Sequence, residues 1–272
     1  MLNTQTKLFA ILGYPIKHSF SPQMQNGWFQ KEGLNCVYLA FEPEPKNLER
    51  TIEALKTLNF YGLNVTIPYK TQILKYIDVL DEAAKKIGSI NTIVFKDSKL
   101  YGYNTDYLGF SRDLMTKKIN LVNKNVLIIG SGGASRAVIY ALKNARVKSI
   151  HITNRTMWKA KKLAKEFNIN SFDIKDMEAL LTEIDLLVNT SSCGMKETDA
   201  LPFSFCKVKE SLIVYDLIYG KATPFLKFAN DKCLKFFTGS GMLLYQGAYA
   251  FEIWTGKYPD IKIAEDFLKN FV

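Results

Sequence analysis

NVLIIGSGGASRA, residues 125–137, decides the fold of this chain. An apolar strand pattern runs into a glycine-rich turn and directly on into a helical pattern, the order found in a Rossmann nucleotide-binding unit. The first glycine of such a turn allows a tight bend, the second lets the backbone approach a pyrophosphate, and a small third residue allows close packing of helix on strand. The stretch therefore predicts a dinucleotide site at the helix N-terminus rather than a purely structural turn. Its residues are Gly130, Ser131, Gly132, Gly133, Ala134 and Ser135.

The end of the following strand, SIHITN at residues 149–154, indicates which dinucleotide binds. An NAD-binding unit usually has an acidic residue here that bonds the ribose 2′-hydroxyl. This chain has Asn154, Arg155 and Thr156 instead. Lys159 follows one helical turn later. Because a guanidinium can stack on adenine and bind a 2′-phosphate, which a carboxylate would repel, we expect NADP(H) rather than NAD as the cofactor.

Strand and helix patterns alternate along most of the chain, which is typical of α/β proteins with parallel sheets. The pattern passes through a linking helix after GYNTD, residues 102–106, and restarts at residue 125. Two helical patterns within residues 241–272 have no strand partners, so we expect them to return to the first domain. The predicted fold is therefore α/β with two domains: residues 1–105 completed by residues 242–272, and a Rossmann domain over residues 106–241.

Composition excludes several other classes of protein. Subtracting 26 acidic from 36 basic residues leaves a net charge of +10, but the lysines are dispersed among acidic residues and no basic run is interleaved with aromatic residues. We therefore expect small anionic ligands and no nucleic-acid partner. The four cysteines form no CxxC pair and there are two histidines, so we predict no metal site. No apolar stretch approaches the ~18 residues of a membrane span and no signal peptide is evident, so we expect a cytoplasmic protein with no membrane partner.

Four polar clusters stand at or near the ends of first-domain strands, where open α/β sheets bind ligands. Each has an ordinary structural explanation: a serine can cap a helix, an asparagine can satisfy a turn, and most lysines are solvated. Together they offer hydroxyl donors for a carboxylate, amides for ring hydroxyls and a lysine–carboxylate pair for acid–base chemistry in a chain nearly without histidine. They indicate a small polyhydroxylated acid as the ligand. The clusters are Ser19 with Ser21; Asn64, Thr66 and Lys70; Asn91; and Asn104, Thr105 and Asp106.

Eight motifs, in order along nearly the whole chain, resemble those of the shikimate dehydrogenases. This family interconverts 3-dehydroshikimate and shikimate with NADP(H), a step in chorismate and aromatic amino acid biosynthesis. The resemblance implies an oxidoreductase acting on a CH–OH group, with an N-terminal α/β substrate domain and a Rossmann NADP domain around an interdomain cleft. The motifs are GYPIKHSFSP, NVTIPYK, GSINTI, GYNTDYLG, GSGGASRA, NRT, NTSSCGM and GSGMLLYQGAYAFEIWTG.

The resemblance also implies a role for individual residues on the substrate side. Lys70 and Asp106 correspond to the catalytic pair, and Ser19 and Ser21 would hold the substrate carboxylate. Two opposing effects act on the Lys70 amine: the dipole of its own helix disfavours the charged form, and the nearby Asp106 carboxylate favours it. The sequence therefore does not determine which protonation state dominates. Further substrate contacts are implied for Thr66, Asn91 and Gln246, and Tyr219 is a candidate to line the cleft, a structural tyrosine being the alternative.

On the cofactor side, the resemblance implies that the segment after the second Rossmann strand binds the adenosine 2′-phosphate. Met242 would lie beside the nicotinamide. We expect a monomer or a homodimer with a small-molecule substrate. The cofactor-binding set is Gly130, Ser131, Gly132, Gly133, Ala134, Ser135, Asn154, Arg155, Thr156, Lys159, Thr190 and Met242.

Departures from the family pattern are few, and two alternative functions stay open. Gln25 stands where the family often has histidine, Gly220 and Lys221 replace a frequent asparagine–proline pair, and Lys159 replaces a second arginine of some members. The first alternative is an NAD-using quinate/shikimate dehydrogenase, against which stands the lack of an acidic residue near Asn154. The second is an NADP-binding protein without catalysis, which would not require the lysine, aspartate and hydroxyl set together.

Overall fold

A computed structural model describes residues 2–202 and 207–269, and the chain divides into two compact units. Unit one comprises the chain up to Phe110 and the segment that begins at Leu243, and unit two runs from Ser111 to Met242. These limits lie a few residues beyond the boundaries expected at 105/106 and 241/242. Cys206 and the end of the last predicted helix, residues 270–272, lie outside the described residues.

Unit one contains a six-stranded sheet with the order β2-β1-β3-β5-β6-β4. β1 runs parallel to β2 and β3, whereas β5 is antiparallel to both β3 and β6. The sheet is therefore mixed, and the expectation of a parallel sheet throughout was wrong for this unit. The strands are β1 (Lys7–Leu12), β2 (Cys36–Phe41), β3 (Gly62–Val65), β4 (Val79–Leu80), β5 (Thr92–Lys96) and β6 (Lys99–Tyr103).

A two-residue turn explains the antiparallel strands. Asp97 and Ser98 connect β5 to β6 and have φ angles of 51° and 60°. Positive φ at both central positions is the geometry of a type I′ hairpin, whose twist matches that of the flanking strands. Asn-Gly or Asp-Gly usually marks such a turn, and Ser98 stands where the glycine is expected, so sequence analysis did not predict β6.

Unit two contains a second six-stranded sheet, of order β12-β11-β10-β7-β8-β9, and every neighbouring pair in it is parallel. β7 is the strand that precedes the glycine-rich turn, and it lies between β8 and β10. The carboxyl ends of these strands form the edge where open sheets of this kind bind ligands. The strands are β7 (Asn125–Ile129), β8 (Ser149–Thr153), β9 (Asn170–Ser171), β10 (Leu186–Asn189), β11 (Ile213–Asp216) and β12 (Lys235–Thr238).

Within the described part of the chain, no helix is long and apolar enough to cross a membrane. The helices are α1 (Ser21–Lys31), α2 (Leu48–Thr57), α3 (Tyr69–Gln72), α4 (Glu82–Ile87), α5 (Asp106–Thr116), α6 (Gly133–Asn144), α7 (Met157–Phe167), α8 (Met177–Leu181), α9 (Pro224–Asp231), α10 (Ser240–Thr255) and α11 (Lys262–Lys269).

The sheet of unit one is covered on both faces. α2 presents Leu48, Ile52 and Leu55, at helical spacing, to one face, where they join a buried cluster with Leu12 and Leu63. On the other face, α1, α10 and α11 build a second cluster around β1 that contains Phe9, Trp28, Phe251 and Leu268, all buried. The two C-terminal helices are therefore structural parts of unit one, and α10 is positioned by the core rather than by surface contacts.

Candidate active site

Lys70 and Asp106 form a close ion pair in unit one, with Nζ of Lys70 2.5 Å from Oδ2 of Asp106. The two side chains are 14% and 4% exposed. Lys70 lies in α3, and its neighbour Tyr69 is buried and anchors this short helix. Asp106 is the first residue of α5, where free backbone N–H groups stabilise a carboxylate. The structure thus brings together the amine and carboxylate that were predicted as a catalytic pair.

Asn91 binds the second oxygen of Asp106. Its Oδ1 accepts the backbone N–H of Thr105 at 2.7 Å, which fixes the orientation of the amide because a backbone N–H can only donate. Its Nδ2 therefore donates, and lies 2.8 Å from Oγ1 of Thr105, 2.9 Å from Oδ1 of Asp106 and 3.0 Å from Oε1 of Gln246. Two amide protons thus face three acceptors. At least one of these acceptors can therefore receive a hydrogen bond from a hydroxyl group of a ligand.

Gln246 reaches this cluster from α10. Its Nε2 donates to the carbonyl oxygen of Leu243 at 2.9 Å, so its Oε1 is the atom that faces Asn91. Because α10 is packed into the core of unit one, the position of this amide is fixed by buried contacts. The predicted residues Lys70, Asn91, Asp106 and Gln246 are therefore adjacent in space.

Ser21 does not use its hydroxyl to cap α1. Phe20 is the N-cap residue and Ser21 is the first residue of the helix, so the capping alternative for this serine was wrong. Its hydroxyl bonds the hydroxyl of Tyr38, and its backbone N–H points to Oγ of Ser19 at 3.3 Å. Ser21 is buried and Ser19 is half-buried, so the two hydroxyls are held in adjacent, partly shielded positions.

Thr66 and Tyr219 occupy different units. Thr66 follows β3 and is half-buried, and its backbone N–H donates to the carbonyl oxygen of Leu12 at 2.8 Å. Tyr219 lies in unit two, where burial raises the pKa of its hydroxyl to about 12. Tyr219 therefore acts as a neutral phenol at physiological pH.

The glycine-rich turn of unit two is locked by hydroxyl groups. Thr190 Oγ1 donates to the carbonyl oxygen of Ile129 at 2.8 Å, so the Ser135 hydroxyl, 2.6 Å away, must donate to Thr190. Ser135 in turn accepts the backbone N–H of Gly132 at 3.0 Å. Gly130 has a φ of +112°, which disfavours any residue with a side chain. These bonds hold the turn at the N-terminus of the twelve-residue helix α6, which begins at Gly133.

Beyond β8, the structure shows an electropositive segment. Asn154 Nδ2 donates to the carbonyl oxygen of Thr156 at 3.3 Å, and α7 begins at the next residue. Arg155 and Lys159 are both exposed, so their charges are available to an anion. Trp158, beside Lys159, is 63% exposed, and sequence analysis did not single it out.

Asp216, at the end of β11, is a fully buried carboxylate that sequence analysis also did not single out. Its oxygens accept bonds from Thr223 Oγ1 at 2.5 Å, Asn189 Nδ2 at 2.8 Å and the backbone N–H of Ile218 at 3.0 Å. Burial raises the pKa of this carboxyl to about 6, although the three donors act in the opposite direction. Asp216 thereby joins the last residue of β10 to the loop that follows β11.

Three family models match the chain. The shikimate dehydrogenase substrate binding domain matches residues 11–93, shikimate / quinate 5-dehydrogenase matches residues 113–198, and the shikimate 5′-dehydrogenase C-terminal domain matches residues 239–266. A curated relative from Aquifex aeolicus, named shikimate dehydrogenase (NADP(+)), is 42% identical over 270 residues, which is 99% of each chain.

The chain belongs to the shikimate dehydrogenase family.

Solved structures of shikimate dehydrogenases match this chain along nearly its whole length. The crystal structure from Aquifex aeolicus has a TM-score of 0.93 at 41% identity and covers 98% of each chain. The Thermus thermophilus enzyme, solved in complex with NADP(H) and shikimate, has a TM-score of 0.87 at 33% identity, with 98% of this chain and 100% of that chain covered.

The shikimate dehydrogenase family models divide the predicted site residues among them. The substrate-binding model spans Ser19, Lys70 and Asn91, and the C-terminal model spans Gln246. The second model spans the glycine-rich turn and the segment after β8. Asp106 falls between the first two models, yet the structure joins it to Lys70.

Proposed function

We propose that this protein catalyses the reversible NADP-dependent reduction of 3-dehydroshikimate to shikimate, a step in chorismate and aromatic amino acid biosynthesis. The observation that carries the proposal is the Lys70–Asp106 pair, with Asn91 and Gln246 beside it, in the unit that contains the match to the substrate-binding domain. The protein is an oxidoreductase of the shikimate dehydrogenase family, and its substrate is a small molecule.

Unit one carries the groups that a polyhydroxylated acid requires. Ser19 and Ser21 bind the substrate carboxylate by donating their hydroxyl protons, while Thr66 and Asn91 bind ring hydroxyls. Gln246 Oε1 accepts a hydrogen bond from a substrate hydroxyl, because the Asn91 amide has two protons for three acceptors. Tyr219, a neutral phenol, is assigned a substrate contact from unit two.

Unit two fits an NADP cofactor. A methyl group placed on Gly132 would meet no atom within 4 Å, so the backbone at this position is open to a pyrophosphate. The N-terminus of α6 supplies free N–H groups and a favourable dipole for the phosphates. Arg155 and Lys159 supply positive charge for the 2′-phosphate, with Asn154 and Thr156 as hydrogen-bonding neighbours. The remaining residues assigned to the cofactor are Gly130, Ser131, Gly133, Ala134, Ser135, Thr190 and Met242.

NADP(H), when bound, supplies or accepts the hydride at the ring carbon. Reduction of a carbonyl to a hydroxyl also needs one proton at the oxygen, and Lys70 Nζ is the group placed to deliver it and, in the reverse direction, to remove it. Asp106 fixes the position of that amine through its 2.5 Å contact. Asn91 keeps Asp106 from turning away by holding its other oxygen.

We assign substrate binding and catalysis to unit one and cofactor binding to unit two. We keep a monomer or a homodimer as the prediction for assembly, which sedimentation velocity distinguishes. A cytoplasmic location is likewise kept as a prediction.

Initial rates of nicotinamide reduction with shikimate and with quinate, each with NADP and with NAD, test the proposed function. We expect turnover to be dominated by shikimate with NADP. Strong activity with quinate or NAD would favour an NAD-using quinate/shikimate dehydrogenase instead. Absence of turnover in all four pairings, with NADP still bound, would indicate a non-catalytic NADP-binding protein.

A further inference from the structure

Tyr38, in β2, places a hydroxyl inside an otherwise apolar cluster. The side chain is 1% exposed, and its ring packs among Phe9, Trp28 and other buried residues, with the ring of Trp254 6.0 Å away. A phenol buried this deeply needs hydrogen-bond partners. Burial also raises the pKa of Tyr38 well above its usual value, so its oxygen carries a proton at neutral pH.

The Tyr38 hydroxyl has two partners, Oδ1 of Asn64 at 2.7 Å and the hydroxyl of Ser21. The direction of each bond follows from the neighbours. Asn64 Nδ2 donates to the backbone carbonyl oxygen of Asn91 at 2.9 Å, which can only accept, so Asn64 Oδ1 is an acceptor. Tyr38 therefore donates its one proton to Asn64, and Ser21 donates its proton to the oxygen of Tyr38.

The chain of bonds continues to the ion pair. Asn64 Nδ2 lies 3.1 Å from Oγ1 of Thr92, next to Asn91, in addition to its bond to the Asn91 backbone. The side chain of Asn91 holds Asp106, which holds Lys70. Every member of this network between Ser21 and Asp106 is buried. An unbroken series of buried hydrogen bonds thus connects Ser21 with the lysine–aspartate pair.

We propose that Tyr38 is a positioning residue for the reaction, whose hydroxyl orients Ser21 for the substrate carboxylate at one end and Asn64, and through it Asn91, at the other. The inference rests on the proposed function. Because the Ser21 proton is directed at Tyr38, a substrate carboxylate must take over that hydrogen bond, and the Tyr38 O–H then rotates from Asn64 to donate to the oxygen of Ser21. Carboxylate binding and the alignment of the Lys70–Asp106 pair are therefore coupled through one buried phenol.

Tyr38→Phe removes the hydroxyl and keeps the ring. Loss of a hydrogen bond from each partner should raise the KM for shikimate and lower kcat, each by about twofold to tenfold. The KM for NADP should not change, since the cofactor residues lie in unit two. Thermal unfolding and NADP binding of the variant establish that it is folded.

The decisive comparison combines Tyr38→Phe with two serine variants. With Ser21→Ala the effects on shikimate KM should not multiply, because residues that share one hydrogen-bond network are energetically coupled. With Ser19→Ala, the matched control, the effects should multiply, since the Ser19 hydroxyl contacts Ser21 only through its backbone N–H. If Tyr38 were merely structural, Tyr38→Phe would lower stability and its effect on the shikimate KM would multiply with that of either serine variant. That result would overturn the proposal. Wild-type values of kcat and KM in Tyr38→Phe would overturn it as well.

Should Tyr38→Phe not fold, Asn64→Ser provides a second test, because it leaves the Ser21–Tyr38 bond intact. It should lower kcat while the shikimate KM stays within about twofold. A changed KM with normal kcat would contradict the inference. The wild-type enzyme is assayed in parallel, so that failure of the proposed function appears as absent wild-type turnover, whereas failure of the inference appears only in the variants.

Discussion

Nδ2 of Asn91 lies 3.0 Å from Oε1 of Gln246, a residue 155 positions further along the chain. The same amide group lies 2.9 Å from Asp106. One side chain therefore joins the Asp106 carboxylate, on the first residue of α5, to a glutamine on α10. The candidate site depends on this meeting of distant segments.

Replacement of the proposed proton donor is the most direct prediction. Lys70→Ala should lower kcat by about two to four orders of magnitude, because general acid–base groups contribute on that scale. The KM for shikimate should change by less than about threefold, since the carboxylate is bound by other residues. Steady-state kinetics in both directions measure both quantities.

The matched control for this variant is Lys75→Ala, an exposed lysine close by in sequence, which should leave kcat unchanged. A near-normal kcat for Lys70→Ala would remove Lys70 from the mechanism.

Cofactor preference should depend on Arg155. Arg155→Ala removes a charge-assisted contact to the 2′-phosphate, so the KM for NADP should rise about tenfold to a hundredfold. Kinetics with NAD, which lacks that phosphate, should be unaffected. Lys161→Ala removes one positive charge from an exposed position on α7, the helix that follows Arg155, and should have little effect on either cofactor. Equal losses with NADP and NAD would show that Arg155 does not recognise the phosphate.

Two glycines of one turn should respond differently to alanine. At Gly130 a methyl group would lie 2.6 Å from Oγ1 of Thr190, at a φ of +112°. Gly130→Ala should therefore destabilise the protein by about 2 kcal/mol or more. Gly132→Ala should change stability by less than about 0.5 kcal/mol, because no atom lies within 4 Å of the added methyl group.

The Gly132→Ala variant should instead raise the KM for NADP about tenfold or more, since the methyl group occupies the space in which a pyrophosphate approaches the backbone. Urea unfolding compares the free energies of unfolding of the two variants, and steady-state kinetics compare their KM values for NADP. A Gly132→Ala enzyme with wild-type NADP affinity would place the pyrophosphate elsewhere.

Asp216 should make the free energy of unfolding of the protein depend on pH. Its pKa is about 6 in the folded protein and 3.8 as the ordinary value. Between these values the folded state binds the proton more tightly than the unfolded state, so the free energy of unfolding falls as pH rises from about 4 to 6. The contribution lost is about 3 kcal/mol, since each pKa unit corresponds to about 1.4 kcal/mol.

Asp216→Asn removes this titration. Relative to wild type, the variant should gain about 3 kcal/mol in unfolding free energy between pH 4 and pH 7, as measured by urea unfolding at several pH values. Asp231→Asn, at an exposed aspartate, serves as the control and should show no such change. If the difference between Asp216→Asn and wild type does not vary with pH, Asp216 does not titrate in this range.

Local patterns predicted the nucleotide-binding half well. The strand, glycine turn and helix at residues 125–137 are contiguous, so their geometry follows from neighbouring residues, and β7 and α6 lie where the pattern places them. The mixed sheet of unit one was not predicted, because its hairpin turns at Asp97 and Ser98, which adopt positive φ without glycine. A non-glycine residue in that conformation leaves little signal in the sequence.

The candidate site was predicted as residue types rather than as an arrangement. Lys70, Asn91, Asp106 and Gln246 could each be identified from their motifs, but their contacts depend on how distant segments pack. Tyr38 was missed for a related reason. A tyrosine in a strand is usually a core residue, and only the positions of Asn64 and Ser21 reveal the use of its hydroxyl.

The return of α10 to unit one has a consequence for the synthesis of the protein. Translation releases Lys70, Asn91 and Asp106 long before Gln246, whereas the described residues of unit two, 111–202 and 207–242, all precede α11 and most of α10. A nascent chain can therefore finish its nucleotide-binding half while the core around β1 still lacks its last helices. Chains that end before residue 246 lack the glutamine that faces Asn91, so under the proposed function they should be inactive.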